Sequence, residues 1–325
     1  MENLLEIRGL KTQFFTKNGV VPAVDGIDID VPYGSVVGIV GESGCGKSMT
    51  AMSIMQLLQY PGRVAEGTIT LEGANLLEKT RAQMDDIRGN RISMIFQEPM
   101  TSLNPVYTVG RQVSEAILLH QNANPAEAKR RTIEIFEQVG ISEPEKRYKS
   151  YPHQLSGGLR QRVMIGMAMV CNPLLMIADE PTTALDVTIE AQILHLMRKL
   201  QREKNTSIIM ITHNLGVVAE LCDYVYVMYA GKILEQANIY ELFKNPLHPY
   251  TSGLLSSIPK ITAEKERLHT IRGLVPNLLQ LPKGCRFCPR CDRAMKICTM
   301  REPELYRAGD GHYARCFLLD DEVMK

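Results

Sequence analysis

Apolar positions along this chain of 325 residues follow two periods, one of strands and one of helices. Between about residues 4 and 40 the segments LLEIRGL, GIDIDV and SVVGIV are alternating or continuously apolar, and Gly and Pro separate them, which predicts a strand-rich start. After GESGCGKS the pattern changes to MTAMSIMQLL, where Met52, Met55 and Leu58 fall at helical spacing. From about Pro99 to Val170 the pattern is mainly helical, clearest in QVSEAILLH, AEAKRRTIEIFEQVG and GLRQRVMIGMAMV. Buried-looking strands return in LLMIAD and SIIMIT, with the helical IEAQILHLMRKLQRE between them, the order expected of a parallel α/β sheet. The pattern therefore predicts an α/β unit over 1–245, split by a helical insertion at about 99–170. A separate C-terminal module over 246–325 begins with PLHPYTSGLL, continues through a charged linker and ends rich in cysteine.

The strand-to-helix switch carries the first candidate chemistry. Gly41-Glu-Ser-Gly-Cys-Gly-Lys-Ser48 satisfies the GxxxxGK[ST] pattern between a predicted strand and a predicted helix. Glycines let successive backbone N–H groups face phosphate, and the helix N-terminus adds its positive end. The expected contact set is Gly41, Ser43, Gly44, Cys45, Gly46, Lys47, Ser48 and Met49. Lys47 supplies a point charge and Ser48 a hydroxyl for Mg2+, while Cys45 serves as a small filler with no base beside it in sequence.

A second site follows the apolar run Leu174–Ala178, which ends in Asp179 and Glu180. Strand alternation separates their tasks: Asp179 holds magnesium through water, and Glu180 faces an attacking water as base or polarising group. Upstream, Leu155-Ser156-Gly157-Gly158-Leu159 opens an apolar helix, so Ser156 and the Gly157 and Gly158 amides form a second candidate anion site.

With these motifs in this order, the chain resembles the nucleotide-binding subunits of ABC transporters over almost all of its first 245 residues. Leu159 stands where that family's signature usually carries Gln. The resemblance implies an α/β P-loop NTPase fold: an ABC-type RecA-like core with an antiparallel β subdomain, an inserted helical subdomain and, here, a small cysteine-rich C-terminal module. It implies ATP and Mg2+ as ligands, and a head-to-tail pair of subunits in which Ser156, Gly157 and Gly158 close on the ATP held by the opposite subunit. Gln97 then links γ-phosphate and magnesium to the helical subdomain, Ala184-Leu185-Asp186 crosses the dimer interface, and His213 is the switch histidine that holds Glu180 and the water. Phe14 stacks on adenine, with the adjacent Phe15 as the alternative.

Five of the eight cysteines crowd the tail: Cys285, Cys288, Cys291, Cys298 and Cys316. Clustered soft thiolates suit zinc or an iron–sulfur cluster. Asn245–Thr251, Gly284–Cys291 and His312–Cys316 resemble the C-terminal extension of oligopeptide and dipeptide importer ATPases. That resemblance implies a 4Fe-4S cluster on Cys285, Cys291, Cys298 and Cys316, with Cys288 as the alternative ligand and zinc as the alternative metal, acting as a structural clamp.

Composition narrows the setting. Lysine plus arginine (37) nearly balances aspartate plus glutamate (36), so no global field favours nucleic acid. Apolar runs such as Val36–Val40 are far shorter than the roughly 20 residues of a spanning helix, and MENLLEIRGL lacks the pattern of a secretory signal. The expectation is a peripheral protein on the cytoplasmic face of the membrane. Its expected partners are a second, paralogous ATPase subunit, two membrane permeases and a solute-binding protein. Nickel and related importers, and soluble ABC-type ATPases acting on ribosomes or DNA, are the rival readings.

Overall fold

A computed structural model describes residues 2–97, 102–183, 185–258, 270–320 and 322–323. In chain order, β1 (Asn3–Thr16) and β2 (Gly19–Pro32) lead to β3 (Val36–Val40), α1 (Lys47–Ile54), β4 (Gly62–Leu71) and β5 (Ala74–Asn75). Next come α2 (Arg81–Ile87), β6 (Ile92–Ile95), α3 (Val109–His120), α4 (Pro125–Gln138), α5 (Pro144–Tyr148) and α6 (Gly157–Met169). They are followed by β7 (Leu175–Asp179), α7 (Val187–Lys204), β8 (Ser207–Thr212), α8 (Leu215–Leu221), β9 (Tyr224–Tyr229) and β10 (Lys232–Asn238). The chain then forms α9 (Ile239–Lys244), α10 (Pro249–Ser256), α11 (Lys296–Met300), β11 (Tyr306–Gly309) and β12 (His312–Ala314).

The strands and helices predicted from periodicity are present, with one difference in extent. Helix α1 ends at Ile54, so Leu58 lies beyond it. Gln56 takes a left-handed conformation, φ 50°, which breaks the helical repeat. Its side-chain amide turns to the Leu76 carbonyl instead.

The chain divides into two compact units. One comprises Leu5–Asp30, Val36–Leu77 and Ile211–Lys325. It holds an antiparallel sheet in the order β2-β1-β4-β5, registered by Leu5 opposite Leu71 and Ile7 opposite Ile69. It also holds the strand order β11-β12-β10-β9-β3. Strand β3 is buried at all five positions and runs parallel to β9, with Val37 opposite Tyr224 and Val40 opposite Val227. Strands β9 and β10 form a hairpin, and β12 adds antiparallel to β10 through Glu235 opposite Ala314.

The other unit comprises Met1–Leu4, Val31–Ser35 and Glu78–Met210. Parallel strands β6 and β7 pair Ile92 with Leu175 and Ile95 with Ala178. Around them lie the helices of the insertion. The amphipathic α3 buries Val109, Val113 and Ile117, and α4 buries Ala128, Ile135 and Phe136. A Ser114–Thr132 hydroxyl pair at 2.8 Å satisfies the polar groups between them. Thr108 and Asn124 cap their first turns, and Pro125 occupies the first helical position of α4, where its missing N–H costs nothing. Among the described residues, no helix is long and apolar enough to cross a membrane.

Candidate functional site

Strand β3 delivers the chain directly into the glycine loop. Gly41 (φ 154°) and Gly46 (φ 109°) take conformations open chiefly to glycine. A Cβ on Gly41 would collide with the Met228 carbonyl oxygen, and one on Gly46 with that of Ala23. The loop thus lies against backbone on its inner side, while Ser43 and Gly44 are exposed on its outer side. Lys47 is the first residue of α1, only 5% exposed, and its ammonium donates to the carbonyls of Gly41 (2.7 Å) and Glu42 (3.0 Å). No acidic residue sits in the first turn of α1, so the helix end keeps its positive character. Ser48 and Met49 follow, half-buried. Cys45 is buried and its thiol is pushed up by desolvation, which keeps it protonated and supports the filler role.

In the other unit, β7 ends at Asp179, which is 3% exposed, and Glu180 follows with a left-handed φ of 48°. A non-glycine residue in that region is strained, and such strain gathers at functional sites. The Glu180 carboxylate accepts from neighbouring side chains: Gln97 donates to Oε2 at 3.2 Å and Thr183 donates to the same oxygen at 2.9 Å. Gln97 lies just after the end of β6, so adjacent parallel strands bring these groups together. Earlier in the chain, Ser156 caps α6 by accepting from the Leu159 N–H at 3.4 Å. Ser156 and Gly157 are exposed, leaving the helix start accessible. Inside α6 the buried Gln161 donates to the Pro181 carbonyl and so ties the helix to the turn after Glu180. Asp186 caps α7 by accepting from the Ile189 N–H at 3.0 Å; its near neighbour Ala184 lies outside the described residues.

His213 is exposed immediately after β8, and Asn214 then caps α8. Phe14 is half-buried opposite Gly62 in the β1–β4 register, where a Cβ would strike the ring. Phe15 is more exposed and has the Arg63 guanidinium 4.1 Å from its ring centroid.

The tail cysteines converge. Cys285, Cys288, Cys291, Cys298 and Cys316 line one small cavity of about 20 Å³, with His248, Phe287 and Phe317 on its walls. The Cys285 N–H donates to the Cys298 carbonyl at 2.8 Å. Burial pushes the Cys285 thiol up to about 12 and also raises Cys288, Cys291 and Cys316. Among the described residues, no group of three or more His, Cys, Asp or Glu side chains is arranged to hold a single metal ion.

Comparison with known proteins defines the lineage. The ABC transporter family model matches residues 24–183, and the model described as the C-terminal region of oligopeptide/dipeptide transporters matches 234–298. The oligopeptide transport ATP-binding protein AppD of Bacillus subtilis is 53% identical over 323 residues, covering 99% of this chain and 98% of its own length. This chain belongs to the ATP-binding proteins of the ABC transporter family. The Escherichia coli protein OppD, also named an oligopeptide transport ATP-binding protein, is 49% identical over 99% of this chain and 95% of its own length. Among solved structures, cbiO1 of Clostridium perfringens, part of an ABC transporter complex, matches with a TM-score of 0.65 and 27% identity over 75% of this chain and 92% of that one. The ATP-binding cassette MJ0796, in a dimeric post-hydrolysis state with ADP and phosphate, matches with a TM-score of 0.65 over 72% of this chain and 98% of that one. At 24% identity it attests the fold alone. The fold is therefore that of the ABC ATPase cassette, and ATP with Mg2+ is the expected ligand pair for an ATPase of this family.

Several residues that shape this ABC cassette carry no sequence signal of their own. Thr183 and Gln161 matter because they reach Glu180 and Pro181. Their closeness in sequence to a motif is the only hint. Tyr250 and Arg290 lie more than 200 residues from the glycine loop, yet both bond Glu42 within it.

Proposed function

We propose that this chain is the ATP-hydrolysing subunit of a peptide importer, working as one of a head-to-tail pair of ATPase subunits on two membrane permeases fed by a solute-binding protein. The relatives' names, oligopeptide transport ATP-binding proteins, support the peptide cargo. Glu180, strained in backbone and held by Gln97 and Thr183, is the observation that carries the catalytic assignment. Two donors on one carboxylate oxygen fix the plane of the group, as a residue that must aim at a single water requires.

In this reading Gly41, Ser43, Gly44, Cys45, Gly46, Ser48 and Met49 of the loop, together with the Lys47 ammonium, bind phosphate, and Phe14 stacks on adenine. Ser48 and Gln97 would hold Mg2+, with Asp179 acting through water. The ion supplies charge neutralisation at the phosphate oxygens. Ser156, Gly157 and Gly158 bind the partner subunit's ATP, Asp186 lies at the shared interface, and His213 fixes Glu180 and the water. Phosphoryl transfer depends on such positioning and charge stabilisation more than on covalent help. Nothing in the charge balance favours nucleic acid as a partner, and the chain works peripherally on the cytoplasmic side.

Residues 1–245 act as the cassette, with helices from about 99–170 inserted, and 246–325 as the importer-type extension. The convergence of five cysteines on one cavity supports a 4Fe-4S cluster held by Cys285, Cys291, Cys298 and Cys316, with Cys288 beside them. The cluster would serve as a structural clamp, since ATP-driven transport contains no redox step.

The test is reconstitution in vesicles with the permeases, the second ATPase subunit and the binding protein. The expected result is ATP-dependent accumulation of peptide that Lys47→Ala abolishes. Active ATP turnover with uptake of a non-peptide solute and no peptide would overturn the cargo.

A further inference from the structure

The glycine loop is fixed from a distant part of the chain. Glu42, its second residue, is held at three points. Its N–H donates to the Tyr250 hydroxyl at 2.9 Å, and its carbonyl accepts from Lys47 at 3.0 Å. Its carboxylate receives a two-point fork from Arg290, Nη1 to Oε2 at 2.5 Å and Nη2 to Oε1 at 2.9 Å. Both remote partners come from motifs that the ATPase reading leaves without a task, Tyr250 from Asn245–Thr251 and Arg290 from between Cys288 and Cys291.

Arg290 is itself immobilised. Its side chain is 5% exposed, Nε donates to the Arg272 carbonyl at 2.9 Å, and Nη1 also donates to the Tyr229 hydroxyl at 3.3 Å. Beneath it Tyr229, Tyr250 and Phe287 pack ring against ring at centroid distances of 4.8 to 5.4 Å. The same cysteine segment reaches the loop's other end: Arg286 donates to the Ala230 carbonyl, and the next N–H, of Gly231, donates to the Cys45 carbonyl at 2.8 Å. A planar guanidinium fixes direction as well as charge when it forks onto a carboxylate. A loop that binds phosphate through several amides gains affinity when those amides are already aimed at one point, because binding then costs less ordering.

We infer that Arg290, with Tyr250, is a positioning residue for the phosphate loop, so that the C-terminal segment sets the chain's affinity for ATP through Glu42. This rests on reading 41–48 as the phosphate loop. The fork acts on the resting loop and not on the reacting atoms, so it belongs to ATP binding and leaves the rate at saturation largely intact.

The experiment measures the Kd of Mg-ATP on the full chain, with the unfolding midpoint read on the same samples. ATPase KM and kcat are measured on the assembled transporter. Arg290→Gln is expected to weaken ATP binding about tenfold, with KM rising alongside and kcat changed by less than about threefold. Glu42→Gln, which leaves the tail intact, is expected to match it, and the double variant to be no weaker than either single one. Arg290→Lys, which keeps charge without the fork, should fall between wild type and Arg290→Gln. Unchanged ATP affinity in folded Arg290→Gln or Glu42→Gln, or losses that multiply in the double variant, overturns the inference. Lys47→Ala tests the underlying reading separately: if it bound ATP as wild type does, the loop assignment itself would fall.

Discussion

At the scale of single residues, two charged side chains of the candidate site are held in constrained settings. Glu180 occupies a left-handed backbone position with its carboxylate held by two donors, and Lys47 is buried at the head of α1. Glu180→Gln should keep Mg-ATP affinity near wild type while lowering turnover by at least ~100-fold, about 2.7 kcal/mol of barrier. Parallel measurement of ATP Kd and single-turnover rate checks this, and near-normal turnover would remove Glu180 from its role. Both residues are legible in the sequence because each sits in a motif whose spacing follows from its chemistry. Glu42 is not, since its place in GESGCGKS is a variable one and its two remote partners become neighbours only in the fold.

At the scale of elements, burial explains what periodicity can foresee. Strands β3, β7 and β8 are buried at every position, so their sequences are continuously apolar and easily recognised. Periodicity overextends helix α1 because Met52, Met55 and Leu58 keep a helical spacing that the left-handed Gln56 interrupts. A side-chain bond to Leu76, 20 residues away, accompanies that break, and no local pattern announces it. The cysteine segment is legible as a cluster, and its convergence on one cavity emerges only once β12 and α11 are folded. Elemental analysis of protein purified without oxygen should find iron and inorganic sulfide, both lost in Cys298→Ser. Zinc in their place would refute the cluster assignment while leaving the thiol cavity intact.

At the scale of the whole molecule, the proposed function requires a second subunit, because in that reading each chain carries only part of each ATP site. In the proposed reading the glycine loop offers amides, Lys47 and a helix N-terminus to one phosphate chain, while Ser156 and Gly157 present a second, exposed helix start at α6. Asp186, capping α7, adds the segment assigned to the shared interface. In the proposed cycle ATP draws two subunits together because each supplies part of both sites, and hydrolysis releases them because the bridging γ-phosphate contacts are lost. The most direct measurement is ATP turnover per chain for a protomer verified as monomeric by light scattering, set beside the same chain in its assembled transporter. The lone protomer is expected to bind Mg-ATP but to turn it over at least ~100-fold more slowly; full-speed turnover by a monomer would contradict the shared-site mechanism.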